Sequence, residues 1–191
     1  MRSLSFVDRD GSVPTVTRRR FRCSASPLWG WMAVAENRES WHSPPVDLAD
    51  FEAIGAEDSY LAVVATTRAD GTSQASVVNA GVLPHPVSGE DVVAFVTYGK
   101  AKLANLRERP TGTVVFRAGW RWATVEGPCD IIGPDDPFSG FEQSDLPALL
   151  RSVFRSAGGT HSDWDEYDKV MEEQRRAAVL VHPRRIYSNG G

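Results

Sequence analysis

Cysteine is scarce: Cys23 and Cys129 are the only two in 191 residues, far apart and without a Cys-x-x-Cys pair. That excludes a disulfide framework and a cysteine-rich zinc site, and makes a reducing cytoplasm the simplest compartment. Histidine is nearly as sparse. His42, His85, His161 and His182 lack ligand-like spacing, so no metal is expected. Gly99-Lys100 is not a phosphate-cradling P-loop, which would need glycine at Ala94 and serine or threonine at Ala101. There is no Gly-x-Gly-x-x-Gly after a strand, no Gly-x-Ser-x-Gly elbow and no internal repeat, so Rossmann, α/β-hydrolase and solenoid readings lack their signatures.

What is present is globular. Hydrophobic residues at 41% and charged residues at 24% disfavour a disordered, collagen-like or membrane-embedded chain, and the length suits one domain with its own core. Residues 1–31 hold six arginines against Asp8 and Asp10, a local charge of +4 that leaves −8 for the remainder. So acidic a body does not suit nucleic acid, and any anion it binds needs a local basic site. The first segment has no sustained periodicity and carries Pro14, Pro27 and the Arg18 to Arg20 run. We read residues 1–45 as a poorly ordered extension, with Met32 as an alternative start, and residues 46–191 as the folded domain. A signal peptide is disfavoured by Ser24, Ser26, Pro27 and Gly30 in its would-be apolar stretch.

Along residues 46–191 the pattern is mainly β with peripheral helices. A short helix is expected over 46–56, capped by Asp47 with Leu48, Phe51 and Ile54 at helical spacing. Residues 60–67 and 74–78 form a hairpin around Ala69-Asp70-Gly71. Residues 91–98, with Val92, Val93, Phe95 and Val96, read as a strand buried on both faces. A helix over 100–109 ends at Pro110, and strands 113–117 and 121–132 flank Ala118-Gly119, with Trp120, Trp122 and Thr124 on one face. Helices over 146–156 and 163–176 are separated by Gly158-Gly159. The apolar run 177–181 continues past Pro183 toward Tyr187 as an edge or bend. Five or six hairpin-connected strands argue for an antiparallel barrel or sheet.

The informative chemistry is the strand end Thr97-Tyr98-Gly99 followed by Lys100-Ala101-Lys102 opening a helix. A helix N-terminus offers free N–H groups, and two lysines add charge, which makes a candidate phosphate site. Trp120 and Trp122 could wall a flat cofactor or fill the core. Arg175 and Arg176 could hold an anion or stabilise a helix C-terminus.

These residues together resemble the split β-barrel flavin-binding family typified by pyridoxamine 5′-phosphate oxidase, and within it the actinobacterial branch that binds flavin or the deazaflavin coenzyme F-420. The likeness spans residues 46–189. It runs in order through Ala69-Asp70-Gly71, Gln74-Ala75-Ser76-Val77-Val78-Asn79, Lys100-Ala101-Lys102 with Asn105-Leu106, Gly119-Trp120, Val125-Glu126-Gly127, His161 to Tyr167, Arg175-Arg176 and Ile186-Tyr187. The resemblance implies an FMN-binding-like split β-barrel and a homodimer with cofactor at the subunit interface. It implies the ring system along Ser76, Val77, Val78 and Asn79, a phosphate near Thr97, Lys100 and Lys102, and Trp120 or Arg175 and Arg176 near the ring or tail.

Pyridoxamine phosphate oxidase proper is similar but carries basic residues at both ends of its cofactor strand, where this chain has Gln74 and Asn79. Its C-terminal arginine motif is replaced by Ile186-Tyr187-Ser188-Asn189. Vitamin B6 oxidation is therefore disfavoured. The expectation is a cytoplasmic oxidoreductase that uses reduced F-420 to deliver a hydride to a small conjugated acceptor. An FMN-dependent oxidase or reductase and a non-catalytic deazaflavin- or tetrapyrrole-binding protein are the alternatives. No nucleic-acid or membrane partner is expected.

Overall fold

The computed structural model describes residues 46–189; the N-terminal extension, including Met32, lies outside the described residues. Helix α1 (Leu48–Glu57) starts where the sequence places it: Asp47 accepts from the Asp50 amide at 2.9 Å while Asp50 reaches back to the Asp47 amide, a reciprocal cap. Strands β1 (Leu61–Thr67) and β2 (Ser73–Pro84) follow, joined by a turn in which Gly71 takes φ +81° and Asp70 accepts from the Thr72 amide and hydroxyl. Next come β3 (Asp91–Thr97), α2 (Lys100–Glu108), β4 (Thr111–Ala118) and β5 (Arg121–Ile132). A 3-10 turn leads to α3 (Leu146–Ser156), α4 (Trp164–Glu173), β6 (Ala177–Val181) and β7 (Arg185–Ser188). No helix among the described residues is long and apolar enough to cross a membrane.

The strands are antiparallel in the order β4-β1-β2-β3-β6-β5-β7, and pairing of β4 with β5 closes the first six into a barrel. Fold class is therefore as expected, with seven strands rather than five or six. β7 adds to the half of β5 that pairs with β4, through Val125↔Ile186 and its neighbours.

Two strands change partner along their length. β2 pairs with β1 through Asn79 and with β3 from Ala80, and β5 pairs with β4 through Pro128 and with β6 from Cys129. The sequence pattern stops β2 at Val78, because Asn79 and Gly81 are weak strand formers. The strand nevertheless continues to Pro84, since Gly81 sits under the end of α3. A Cβ there would lie 2.3 Å from the Ser156 carbonyl.

Alternate residues of β3 and β6 serve two cores. Phe95, Val93, Val179 and Val181 face the barrel interior with Phe51, Leu106, Phe116 and Val125, where the Phe51 and Phe116 rings lie 4.5 Å apart. Val92, Ala94, Ala178 and Leu180 face outward onto Leu150 and Val153 of α3 and Tyr167 and Met171 of α4. Burial on both faces is why these runs are uninterrupted in apolar residues. It also fixes both helices on one side of the barrel, beside the β2 corner.

Gly81→Ala is expected to force α3 off β2 and to destabilise the domain by about 2–3 kcal/mol, the ordinary cost of overpacking. Urea denaturation reads this as a lower midpoint with an unchanged slope.

Candidate functional site

Where β2 leaves β1 for β3, the segment Ser73–Asn79 is paired on one side only, and its other edge is free. A cavity of about 530 Å³ opens along that edge, within the range of small-molecule sites. β2 supplies Ser76 to Asn79, the end of β3 supplies Val96 and Thr97, and Tyr98, Gly99, Ala101 and Lys102 close one end. The far wall is helical: Val153, Phe154 and Ala157 of α3, Tyr167 and Met171 of α4, then Arg176 beyond it.

Two buried polar groups in this cavity lack partners. Ser76 Oγ has no hydrogen-bond partner among the described residues. Lys102 is 4% exposed, and among the described residues no carboxylate pairs with it; its Nζ lies 5.0 Å from the centre of the Phe95 ring. Burial alone, with no counter-charge, pushes its ammonium down to about 8 from an ordinary value above 10. Among the described residues Arg176 is a second cation without a carboxylate. Its guanidinium lies 4.4 Å over the Tyr98 ring and donates to Gln174 at 2.8 Å. No aspartate or glutamate among the described residues lines the cavity. Two uncompensated cations, an orphan hydroxyl and a strand edge with free backbone N–H and C=O groups suit a flat, hydrogen-bonding, anionic ligand.

The nearby polar groups are already committed. Thr97 Oγ1 accepts from the Gly99 amide at 3.2 Å, which shapes the entry to α2, and Asn79 Nδ2 donates to the Ser59 carbonyl at 3.0 Å. Asn105, also buried, donates to Thr66, which donates to Gln74, and this bridges α2 to β1 and β2. The start of α2 is thereby held against the barrel, where Lys102 contributes to the cavity lining.

Of the residues singled out by sequence, Ser76, Val77, Val78, Asn79, Thr97, Lys102 and Arg176 line one cavity. Lys100, Trp120 and Arg175 do not. Lys100 is exposed, two residues along the helix from the buried Lys102 and on its other side. Arg175 turns away to an ion pair with Asp135 and caps α4 in the left-handed region, φ 49°. Trp120 is not on a strand face with Trp122. It occupies the β4–β5 turn and is 94% exposed, while Trp122 packs edge-on against Tyr187. The aromatic wall is instead Tyr98, Phe154 and Tyr167. Strand alternation could not reveal it, because two of these residues arrive on helices. The available signal was Tyr167 inside the His161 to Tyr167 motif.

The family profile described as pyridoxamine 5′-phosphate oxidase matches residues 52–189. Among solved structures, the conserved hypothetical protein Rv2991 from Mycobacterium tuberculosis is similar at 20% identity and TM-score 0.54, over 77% of this chain and 86% of that one. An F420 reductase is similar at 19% and 0.50, over 75% and 98%. A pyridoxamine 5′-phosphate oxidase-related, FMN binding protein from Nostoc punctiforme is similar at 12% and 0.50, over 71% and 79%. The chain belongs to the pyridoxamine 5′-phosphate oxidase family, whose split-barrel fold is shared with flavin- and F420-related proteins.

A buried, unpaired ammonium costs stability. Lys102→Met is expected to stabilise the ligand-free protein at pH 7, on the order of 2 kcal/mol. The sign follows from linkage. Between about 8 and the ordinary lysine value the unfolded chain binds the proton and the folded one does not, so wild-type stability rises with pH across that window. Urea midpoints at pH 7 and pH 10 should differ in the wild type more than in the variant.

Proposed function

We propose that this chain is an oxidoreductase that binds reduced F-420 in the β2 cavity and directs hydride transfer to a small conjugated organic acceptor. The observation that carries the reading is Lys102, a buried cation that has no counter-ion among the described residues, in a cavity to which those residues bring no carboxylate. Bound F-420 would supply the hydride chemistry, as redox cofactors generally do. The residues supply position and charge. The Lys102 ammonium and the free amides that open α2 hold an anionic group, the Ser76–Asn79 edge and Ser76 Oγ engage the rim of a ring system, and Phe154 and Tyr167 exclude water from its face. Arg176 over Tyr98 places a second cation toward the opposite wall, which suits a ligand whose anionic charge is spread along its length. The likeness to an F420 reductase over 98% of that chain supports the deazaflavin over FMN. FMN is the second reading, supported by the likeness to an FMN binding protein.

A homodimer in the cytoplasm is part of the proposal. Leu61, Val63 and Val77 form an exposed apolar strip on β1 and β2, with Val63 paired to Val77, on the strand that carries Ser76 to Asn79. A second copy would cover the strip and bring additional groups to the cavity mouth. Trp120, remote from its own cavity, is a candidate.

The deciding measurement is equilibrium titration of the full chain with F-420 and, separately, with FMN, followed by cofactor fluorescence. F-420 should bind more tightly, Lys102→Met should weaken it at least tenfold, and wild-type affinity should fall as pH rises through about 8, where Lys102 loses its proton. Tighter FMN would establish the second reading. Binding of F-420 with no oxidation of its reduced form by any conjugated acceptor would make the protein a carrier. Val77→Asp should shift a dimer to monomer in sedimentation equilibrium.

A further inference from the structure

At the end of β3 and β6 remote from the cavity, three chain segments bring titratable side chains together. His85 follows β2, Asp130 lies on β5 and His182 follows β6. The three histidine and aspartate groups are distant in sequence, but their ligating atoms fall within 4.8 Å of one another. His182 Nε2 lies 2.7 Å from Asp130 Oδ2, and His85 Nε2 lies 3.4 Å from the same oxygen. Such a set could hold a metal ion or a proton, and the other nitrogen of His85 decides between them.

His85 Nδ1 accepts from two backbone amides, Val87 and Ser88, each at 3.2 Å. A ring nitrogen that accepts carries no proton, so in the neutral ring the proton is on Nε2. Nε2 then has no lone pair for a metal, and it points an N–H at Asp130 without completing a hydrogen bond. The ring is 3% exposed and stacked between His182, at 5.3 Å, and the edge of Phe138, at 5.4 Å.

We infer that His85 is an acid-sensitive latch on the β2–β3 turn: its neutral ring holds the turn closed, and a second ring proton enters only when the Val87 and Ser88 amides let go. The incoming proton has one place to go, Nδ1, which those amides occupy. Three N–H groups would then converge on one point. The charged and titratable groups facing the ring are Asp130 from β5, His182 from beyond β6 and Glu90 across the turn. Asp130 and Glu90 favour the charged ring and His182 opposes it, yet burial outweighs them and holds the imidazolium down.

The consequence is directional. In the closed turn His85 resists protonation and in the open turn it titrates normally, so the open form gains as pH falls below about 6.5. The turn also rests on the loop leading to α3: Phe138 packs on His85, and Gly140 lies so close to Val87 that an added Cβ would be 3.2 Å from it. Opening the turn therefore releases the loop that leads into the helical wall of the cavity.

The test is amide hydrogen exchange by NMR on the full chain, with protection of Val87 and Ser88 corrected for intrinsic exchange at pH 7.5 and pH 5.0. The open population should rise between the two, by up to roughly 30-fold, the limit set by an open-turn imidazole that titrates normally. His85→Asn, which can accept the same amides without titrating, should show no such rise. Unchanged protection in the wild type, or the same loss in His85→Asn, overturns the latch. If that variant does not fold, the ¹⁵N shifts of the wild-type imidazole decide: Nε2 protonated and Nδ1 bare at pH 7.5 is the expected state. A protonated Nδ1, or displacement of the Nε2 proton by added Zn²⁺, overturns it.

Discussion

β2 pairs with β1 as far as Asn79 and with β3 from Ala80, and the cavity exists because of that exchange. A strand that kept both neighbours along its full length would present no free backbone edge. One that ended at Val78 would leave the barrel open. Gly81 permits the crossing because α3 lies directly on it, closer than any side chain allows. The same approach of α3 brings Val153, Phe154 and Ala157 to face Ser76 to Asn79. Strand edge, helical wall and cavity are one geometric event.

The electrostatics of the molecule divide along the same boundary. Outside the cavity several arginines are matched, Arg107 with Asp136, Arg151 with Asp168 and Arg175 with Asp135, while others such as Arg68 and Arg117 donate to backbone carbonyls. Within it, Lys102 and Arg176 have no carboxylate partner among the described residues. The exposed pairs contribute little to stability, whereas burying Lys102 alone costs a good deal. A cation retained at such a cost is the kind of departure from local consistency that marks a binding site. Arg175 and Arg176 show how sharp the division is. Adjacent in sequence at the left-handed end of α4, Arg175 pairs with Asp135 while Arg176 lies over Tyr98 and reaches the cavity.

How much of this was legible depends on the range over which each feature is decided. β3 and α3 could be read almost to the residue, because burial on two faces or on one helical stripe leaves a local pattern. The run 177–181, expected as an edge or bend, is instead a fully buried strand between β3 and β5, and the edge falls to β7. Thr97, Lys102 and Ser76 to Asn79 were legible as a strand end, a helix start and a family motif. Trp120 was misplaced, since alternation assumes that a strand has already begun, and here the turn takes that residue. Lys100 and Lys102 were indistinguishable in sequence; the rotation of α2 exposes one and buries the other.

Composition and periodicity therefore determined a mainly β, helix-decorated domain with a basic helix start after its third strand, because these are properties of neighbouring residues. Tertiary structure alone decided that Phe154 and Tyr167 would face Ser76, that Lys102 would have no counter-ion, and that His85, Asp130 and His182 would share one carboxylate oxygen. Each of these is a meeting of elements remote along the chain. Barrel closure and the seating of α3 on Gly81 are what bring them together, and no local pattern records either event.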